Sequence, residues 1–158
     1  MSHTDWKIHR AERPLPALLN EVKELAIAEL HRRLAEEGHG VIREGHGCVF
    51  RFVDVEGSRL TDLADRAGLT KQAVGEVADD LERLGYVERI PDPLDRRAKI
   101  IRLTKRGWDA QEAAQRIFAD IERRWAAEVG ERQVRTLRRA LEAISARERE
   151  QASPGRAA

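Results

Sequence analysis

The residues best suited to chemistry in this chain form a cluster of positive charge. Residues 95–106 contain one acid, Asp95, and six basic side chains, Arg96, Arg97, Lys99, Arg102, Lys105 and Arg106. The local charge is therefore +5, in a chain whose 29 Lys and Arg against 28 Asp and Glu give a net charge of +1. Because arginine and lysine bind phosphate oxygens, this cluster predicts a contact with a polyanion. The balanced total excludes a protein that is basic throughout.

Histidine and cysteine offer a second, weaker set of candidates. His31, His39, His46 and Cys48 fall within 18 positions, and the His-x-Cys pair could hold a soft divalent metal. Their spacing matches no named structural metal site, and histidines in a glycine-rich loop are typically solvated. We therefore expect no metal and no cofactor, and we expect Cys48 to be a buried, inert thiol.

The sequence does not favour an enzyme. It has no glycine-rich phosphate loop, no Gly-x-Ser-x-Gly motif and no His-Glu-x-x-His motif, and its single cysteine and five histidines form no obvious pair of nucleophile and base. It also has no apolar run long enough to cross a membrane and no signal peptide. We expect a cytoplasmic protein without a membrane partner.

The elements just before the basic cluster predict a helix-turn-helix. Thr61 is a suitable N-cap for a short helix that ends at Gly68, and Thr70 is a suitable N-cap for a second helix. Gly85 fits the end of the second helix. That helix carries a one-sided apolar stripe of Val74, Val77, Leu81 and Leu84. Two amphipathic helices joined by a tight turn with glycine are typical of this motif.

A β-hairpin follows the helix pair. Residues 86–90 and 99–103 are predicted strands, and the turn-rich, charged residues 91–98 connect them. A helix pair followed by a hairpin is a winged helix, which places the basic cluster in the wing. The segment Cys48 to Val55 is ambiguous, because its β-branched and aromatic residues favour a strand while a short helix is also consistent with its apolar run.

Long amphipathic helices flank this winged helix. Apolar residues at i, i+3 and i+4 predict a helix from Pro14 to about Glu37. A long helix capped by Thr104 and a last helix after Gly130 follow the hairpin. The predicted fold class is mainly α with a small β-hairpin wing. Part of the apolar surface of the flanking helices is expected to pack against a second copy of the chain.

A resemblance to the MarR family of bacterial transcription regulators rests on residues 60–107, LTDLADRAGLTKQAVGEVADDLERLGYVERIPDPLDRRAKIIRLTKRG. The two helices, the Asp-x-Arg of the wing and the Leu-Thr-x-x-Gly exit follow the family's order. The resemblance implies a homodimer that binds double-stranded DNA, typically a repressor that a small molecule releases from a palindromic site. It implies dimerisation helices at 14–37 and 108–150, a winged helix at 46–107, and a helical conformation for Cys48 to Val55. The ends, 1–13 and 151–158, are expected to be flexible.

The resemblance also implies how DNA is contacted. The second helix would enter the major groove by its N-terminus, and Arg97 would enter the minor groove with its guanidinium oriented by Asp95. Thr70 could instead be an ordinary cap, and Asp95 with Arg97 an ordinary surface ion pair. The predicted DNA-binding residues are Thr61, Thr70, Lys71, Gln72, Gly75, Glu76, Asp95, Arg96, Arg97 and Lys99.

The second helix departs from the family pattern. Gly75 and Glu76 stand where relatives often have a hydroxyl residue and a basic residue. Residues 73–82 contain no Lys or Arg and four acids, Glu76, Asp79, Asp80 and Glu82, which would repel phosphate. An alternative function is therefore a winged-helix module for protein interaction that binds DNA only weakly and without sequence preference.

A ligand pocket between the dimerisation helices and the winged helix is the last feature that the resemblance implies. Its candidate lining residues are Leu19, Val22, His46, Phe50 and Phe118. The alternative is that these residues are ordinary members of the hydrophobic core.

Overall fold

The computed structural model describes residues 13–95 and 97–152, most of which are helical. The helices are α1 (Leu15–Glu36), α2 (Gly47–Phe52), α3 (Leu60–Ala67), α4 (Lys71–Arg83), α5 (Lys105–Val129) and α6 (Glu131–Ala152). The strands are β1 (Ser58–Arg59), β2 (Val87–Pro91) and β3 (Lys99–Leu103), and a 3-10 turn at Glu44–His46 precedes α2. The predicted fold class is confirmed.

The helix-turn-helix forms from the local signals that predicted it. Gly68 ends α3 in the left-handed conformation, with φ +65°, and the backbone N–H of Leu69 donates to the carbonyl of Ala64 at 3.0 Å. The Thr70 hydroxyl then accepts from the backbone N–H of Ala73 at 3.1 Å. This bond caps α4, because it satisfies one of the backbone donors that the first turn leaves without a partner. The turn thus fixes the angle between the two helices.

The wing is part of a three-stranded antiparallel sheet with the order β1-β3-β2. Val87 faces Leu103 at one end of the hairpin, and Pro91 faces Lys99 at the other. The predicted strands are confirmed to within one residue. The short strand β1, which pairs Arg59 with Ile100, was not predicted.

Tyr86 is the centre of the core beneath the hairpin. Its side chain is fully buried, its hydroxyl lies 3.1 Å from Nδ1 of His39, and its ring contacts Phe50 edge-on at 6.1 Å between centroids. Its carbonyl accepts from the backbone N–H of Thr104 at 3.0 Å. Thr104 in turn caps α5, because its hydroxyl accepts from the backbone N–H of Gly107 at 3.1 Å. The connection between β3 and α5 is therefore held in place by its hydrogen bond to Tyr86.

The described residues divide into two compact units, the first ending at Ile117 and the second beginning at Phe118. The buried apolar side chains of the first unit come from every helix within it and from β2 and β3, and include Leu34, Val49, Leu63, Val74, Leu81, Val87, Ile101 and Ile117. In the second unit, Arg138 of α6 pairs with Glu122 of α5 at 2.6 Å. None of the described residues of α6 is buried.

The structure corrects several expectations. Thr61 does not cap α3, since the helix begins at Leu60 and Arg59 occupies the N-cap position; Thr61 lies in the first turn. The local preference of Cys48 to Val55 for a strand was wrong, and the implied helix is present up to Phe52. Cys48 is half-buried, and burial raises the pKa of its thiol.

Two histidines of the glycine-rich loop are buried, and the expectation that they are solvated was wrong. His39 and His46 are only 9% and 3% exposed because they bond to residues far along the chain, Tyr86 and Asp80 respectively. The segments expected to be flexible lie outside the described residues, apart from Arg13 and from Gln151 and Ala152, which continue α6.

Candidate nucleic-acid interface

The N-terminus of α4 presents exposed polar side chains. Thr70, Lys71 and Gln72 are all exposed. The Lys71 ammonium has no hydrogen-bond or ion-pair partner within residues 13–95 and 97–152. The side-chain amide of Gln72 donates to the Glu76 carboxylate at 3.2 Å, which leaves its second N–H and its Oε1 oxygen without a partner among the described residues. The free backbone N–H groups of this first turn and the Lys71 charge together favour an anion.

The wing loop is closed by its own backbone. The N–H of Asp92 donates to the carbonyl of Ala98 at 3.0 Å, and the N–H of Ala98 donates to the carbonyl of Asp95 at 2.9 Å. The Asp95 carboxylate accepts from the backbone N–H of Arg97 at 3.1 Å. The expected bond from Asp95 to the Arg97 guanidinium is thus replaced by one to the Arg97 backbone. Among the described residues, neither the Arg97 guanidinium nor the Lys99 ammonium has a partner, and both side chains are exposed.

The other cations of the basic cluster are engaged by the protein itself. Arg102 pairs with Glu88 at 2.8 Å, and Lys105 pairs with Asp109 at 3.0 Å. The Arg106 guanidinium lies 4.5 Å above the Tyr86 ring and donates to the carbonyl of Leu84. Arg96 lies outside the described residues. The charge that remains available in the wing is therefore smaller than the sequence count indicates.

An ion pair that the sequence analysis missed joins the wing to the helix-turn-helix. Both Nε and Nη2 of Arg59 lie 2.6 Å from one carboxylate oxygen of Asp92. The other oxygen accepts from the backbone N–H of Leu94 at 2.8 Å. These bonds lower the pKa of Asp92, the Leu94 N–H having the largest effect. The turn sequence Asp92-Pro93 was the available signal, but nothing in the sequence indicated its partner.

Comparison with known proteins decides the family resemblance. A model of the MarR family matches residues 39–98, from the loop after α1 to the wing. The resemblance to the MarR family is confirmed.

Solved structures match a larger part of the chain than the family model does. The chain is similar to CouR from Rhodococcus jostii RHA1, solved with p-coumaroyl-CoA: 26% identity over 80% of this chain and 88% of that one, with a TM-score of 0.63. It is similar to the transcriptional regulator BldR from Sulfolobus solfataricus, at 24% identity over 93% and 99% of the two chains, with a TM-score of 0.64. It is also similar to a variant of S. aureus MepR bound to an oligodeoxyribonucleotide, at 21% identity over 85% and 98%, with a TM-score of 0.57.

The chain thus has the fold of MarR-family transcription regulators, a family of DNA-binding proteins and not of enzymes. No curated protein matches the sequence. No helix among the described residues is long and apolar enough to cross a membrane.

Three of the four acids of α4, where this chain departs from the MarR pattern, are paired with arginines. Arg89 of β2 binds Asp79 at 2.5 Å and also binds Glu82. Arg89 therefore offsets one unit of the four negative charges that would otherwise repel phosphate, and shares that offset between Asp79 and Glu82.

Asp80 is the third of these acids and is the centre of a larger cluster. It pairs with Arg83 and Arg43, and it accepts from Nε2 of His46 at 2.9 Å. The backbone N–H of Arg43 donates to Nδ1 of His46, so a neutral imidazole with its proton on Nε2 satisfies both contacts. The bond from Arg83, followed by that from His46, lowers the pKa of Asp80 to about 2.

Gly75, the other departure, is not required by the packing of the protein. A Cβ atom at this position would lie 3.6 Å from Cδ2 of Leu60, which is an ordinary van der Waals distance. The glycine therefore leaves room on α4 that the protein does not use. Such room is what the predicted DNA contact at Gly75 requires, because only a residue without a side chain lets another molecule approach the helix backbone this closely.

The five candidate pocket residues have different surroundings. His46 is buried against Asp80, and Phe50 is half-buried against Tyr86. Leu19 and Val22 are exposed on α1, and Phe118, in the second unit, is 37% exposed. A cleft of about 640 Å³ opens in the first unit and is lined by none of these five; its walls include Asp54, Arg59, Thr61, Asp62, Asp92 and Leu94. Within the described residues, no three His, Cys, Asp or Glu side chains are grouped as metal ligands.

Proposed function

We propose that this chain is a sequence-specific DNA-binding transcription repressor that works in the cytoplasm as a homodimer. The observation that carries the proposal is the arrangement of charge in the winged helix. Lys71, Arg97 and Lys99 are exposed and have no partner among the described residues, whereas the acids of the second half of α4 are paired with Arg89, Arg83 and Arg43. The free cations are thus at the N-terminus of α4 and in the wing, the two parts of a winged helix that contact DNA.

Each part of this interface has its own role in the proposal. The N-terminal turn of α4 enters the major groove, where Thr70 contacts a phosphate and Lys71 and Gln72 contact phosphate or base edges. Arg97 enters the adjacent minor groove, and Arg96 and Lys99 contact phosphates. Thr61, in the exposed first turn of α3, adds a further phosphate contact.

The homodimer is supported by apolar surface on the flanking helices. On α1, one face exposes Leu15, Leu18, Leu19, Val22 and Leu25, which are between 37% and 66% exposed. On α6, Leu137 and Ile144 are each 50% exposed. A row of exposed leucines at helical spacing is rare on a monomer and typical of a surface that a second copy covers. Two-fold symmetry then places two α4 helices in successive major grooves of a palindromic operator.

Release by a small molecule is supported by two solved structures of similar proteins. CouR is described with p-coumaroyl-CoA and MepR with ethidium bromide. We propose that a small-molecule effector also binds the present chain. The candidate residues that line its pocket are Leu19, Val22, His46, Phe50 and Phe118. The effector would bind the form that does not fit DNA and so shift the population away from the operator.

The experiment that tests the function is DNA selection followed by titration. A random-sequence library and the DNA flanking the gene are screened with the purified protein, and the affinity of each selected site is compared with that of scrambled DNA at several salt concentrations. We expect a discrete site bound about 10³-fold or more tightly than scrambled DNA. Arg97→Ala should cost about 1 kcal/mol or more at that site, while Lys71→Ala should weaken binding and reduce the salt dependence.

The second candidate function is an interaction module that binds DNA without sequence preference. It is favoured by Glu76, the acid of α4 whose partner is a neutral amide, Gln72. Equal affinity for selected and scrambled DNA, lost equally with added salt, would support this module and overturn the regulator.

A further inference from the structure

We propose that Arg59 and Asp92 are positioning residues of the interface: their ion pair holds the wing against the start of α3 and thereby sets the place of Arg97. The proposal rests on the DNA-binding function proposed above. Neither residue is among the predicted DNA contacts.

The geometry of the Arg59–Asp92 ion pair restricts where the wing can lie relative to the start of α3. The Asp92 side chain is only 6% exposed, and two guanidinium nitrogens of Arg59 lie 2.6 Å from a single oxygen of it. The backbone of Arg59 is itself held, because Arg59 pairs with Ile100 in the sheet and occupies the N-cap position of α3. A nearly buried carboxylate needs its cation, so this contact is strongly preferred over any in which the two groups separate.

Asp92 makes several of the hydrogen bonds that hold the wing loop together. Besides binding Arg59, the Asp92 carboxylate accepts from the N–H of Leu94, and the Asp92 carbonyl accepts from the N–H of Asp95 at 3.2 Å. The Asp92 N–H closes the loop onto Ala98. Arg97 lies directly before this closing residue, so a displacement of Asp92 displaces Arg97. A contact made by a forked side chain in a narrow groove tolerates little displacement.

The charge of Asp92 makes the proposal easy to test, because two explanations predict effects of opposite sign. Asp92→Asn removes a negative charge beside the proposed DNA surface, and electrostatics alone would then make binding to DNA tighter. Loss of wing positioning would make binding weaker. Glu88 provides a matched control, since it is on the same hairpin, has the same charge and forms an ion pair with Arg102, but its side chain is 45% exposed.

The first measurement is a double-mutant cycle on the affinity for the selected DNA site. Asp92→Asn should lower the affinity about threefold to fivefold, a loss no larger than that of Arg97→Ala. In the Arg97→Ala background the same substitution should change the affinity less than about twofold, because the group that it positions is gone. Glu88→Gln should cause no loss in either background. Arg59→Lys, which keeps the charge but not the two-nitrogen contact, should repeat the result if Asp92→Asn does not fold.

The second measurement does not involve DNA. In the free protein, Asp92→Asn should speed amide hydrogen exchange in residues 92–98 and leave exchange in α3 and α4 unchanged, whereas Glu88→Gln should change neither. Unchanged amide hydrogen exchange in residues 92–98 would show that the Arg59–Asp92 ion pair does not hold the wing loop. Binding as tight as that of the unmodified protein, or an equal loss with and without Arg97, would overturn the positioning role. If the unmodified protein shows no preferred DNA site, the proposed function fails and the positioning role fails with it. The hydrogen-exchange data still decide whether the Arg59–Asp92 ion pair holds the wing loop.

Discussion

Alanine at Gly107 should destabilise the protein, and alanine at Gly75 should stabilise it, although both positions are within α-helices. At Gly107, a Cβ atom would lie 2.1 Å from the carbonyl oxygen of Tyr86 and 3.1 Å from Cβ of Leu103. At Gly75, the nearest atom would be Cδ2 of Leu60 at 3.6 Å. The same addition of one methyl group therefore clashes with a backbone atom at one site and makes an ordinary van der Waals contact at the other.

The expected magnitudes follow from these distances. At Gly107 the Tyr86 carbonyl would have to move by more than about 1 Å, and overpacking of this kind costs roughly 1–3 kcal/mol. The movement also weakens the hydrogen bond from Thr104 to that carbonyl, worth about 1 kcal/mol, while the helix preference of alanine returns up to about 1 kcal/mol. The net loss is about 1–3 kcal/mol. At Gly75 only the helix preference operates, so the gain is about 0.5–1 kcal/mol.

Urea unfolding followed by circular dichroism would measure both changes, with all variants at one protein concentration because a dimer's stability depends on it. A Gly107→Ala variant as stable as the unmodified protein would refute the close contact with Tyr86. A Gly75→Ala variant less stable than the unmodified protein would refute the unstrained fit of a methyl group against Leu60. Since DNA is expected to approach Gly75, the stabilised Gly75→Ala variant should nevertheless bind the operator more weakly.

Three further predictions use the charges and the apolar faces. The contribution of Asp80 to stability is present above its ordinary pKa of 3.8 and is lost as the pH falls through about 2, so Asp80→Asn should flatten acid unfolding in this window, as followed by circular dichroism; an unchanged acid transition would contradict it. Glu76→Gln should tighten binding to operator and scrambled DNA alike, most at low salt, whereas a loss confined to the operator would mean that Glu76 reads a base. Leu25→Glu, at a position 66% exposed on α1, should shift sedimentation from dimer toward monomer, and an unchanged dimer would place the interface elsewhere.

The winged helix could be predicted because residues close together in the sequence mark where its helices begin and end. Thr70 caps α4 as expected, and Gly68 and Gly85 have the positive φ values, +65° and +80°, that the ends of α3 and α4 require. The Leu-Thr-x-x-Gly exit also has a physical reason that the resemblance alone did not supply. Gly107 is glycine because the Tyr86 carbonyl lies directly against it.

The features that could not be predicted depend on residues far apart in the sequence. Strand β1 has only two residues, and it exists because β3 lies beside it, so no local alternation marks it. Its pairing also moves the start of α3 ahead of Thr61. His39 and His46 lie in a loop of glycines, and only the distant partners Tyr86 and Asp80 explain why they are buried.

Counting charge along one element was misleading for both the wing and α4, and for the same reason. The wing and its exit have a sequence charge of +5, but Arg102, Lys105 and Arg106 are engaged by Glu88, Asp109 and Tyr86. The acids of α4 are likewise engaged, chiefly by Arg89 and Arg83. Because ion pairs offset part of the charge on both sides, the attraction by the wing and the repulsion by α4 are both weaker than the sequence count indicates. Among the described residues of the wing and α4, a small number of free cations remains in two places. Selectivity must then depend on where these cations are held, and hence on the contacts that position the wing and α4.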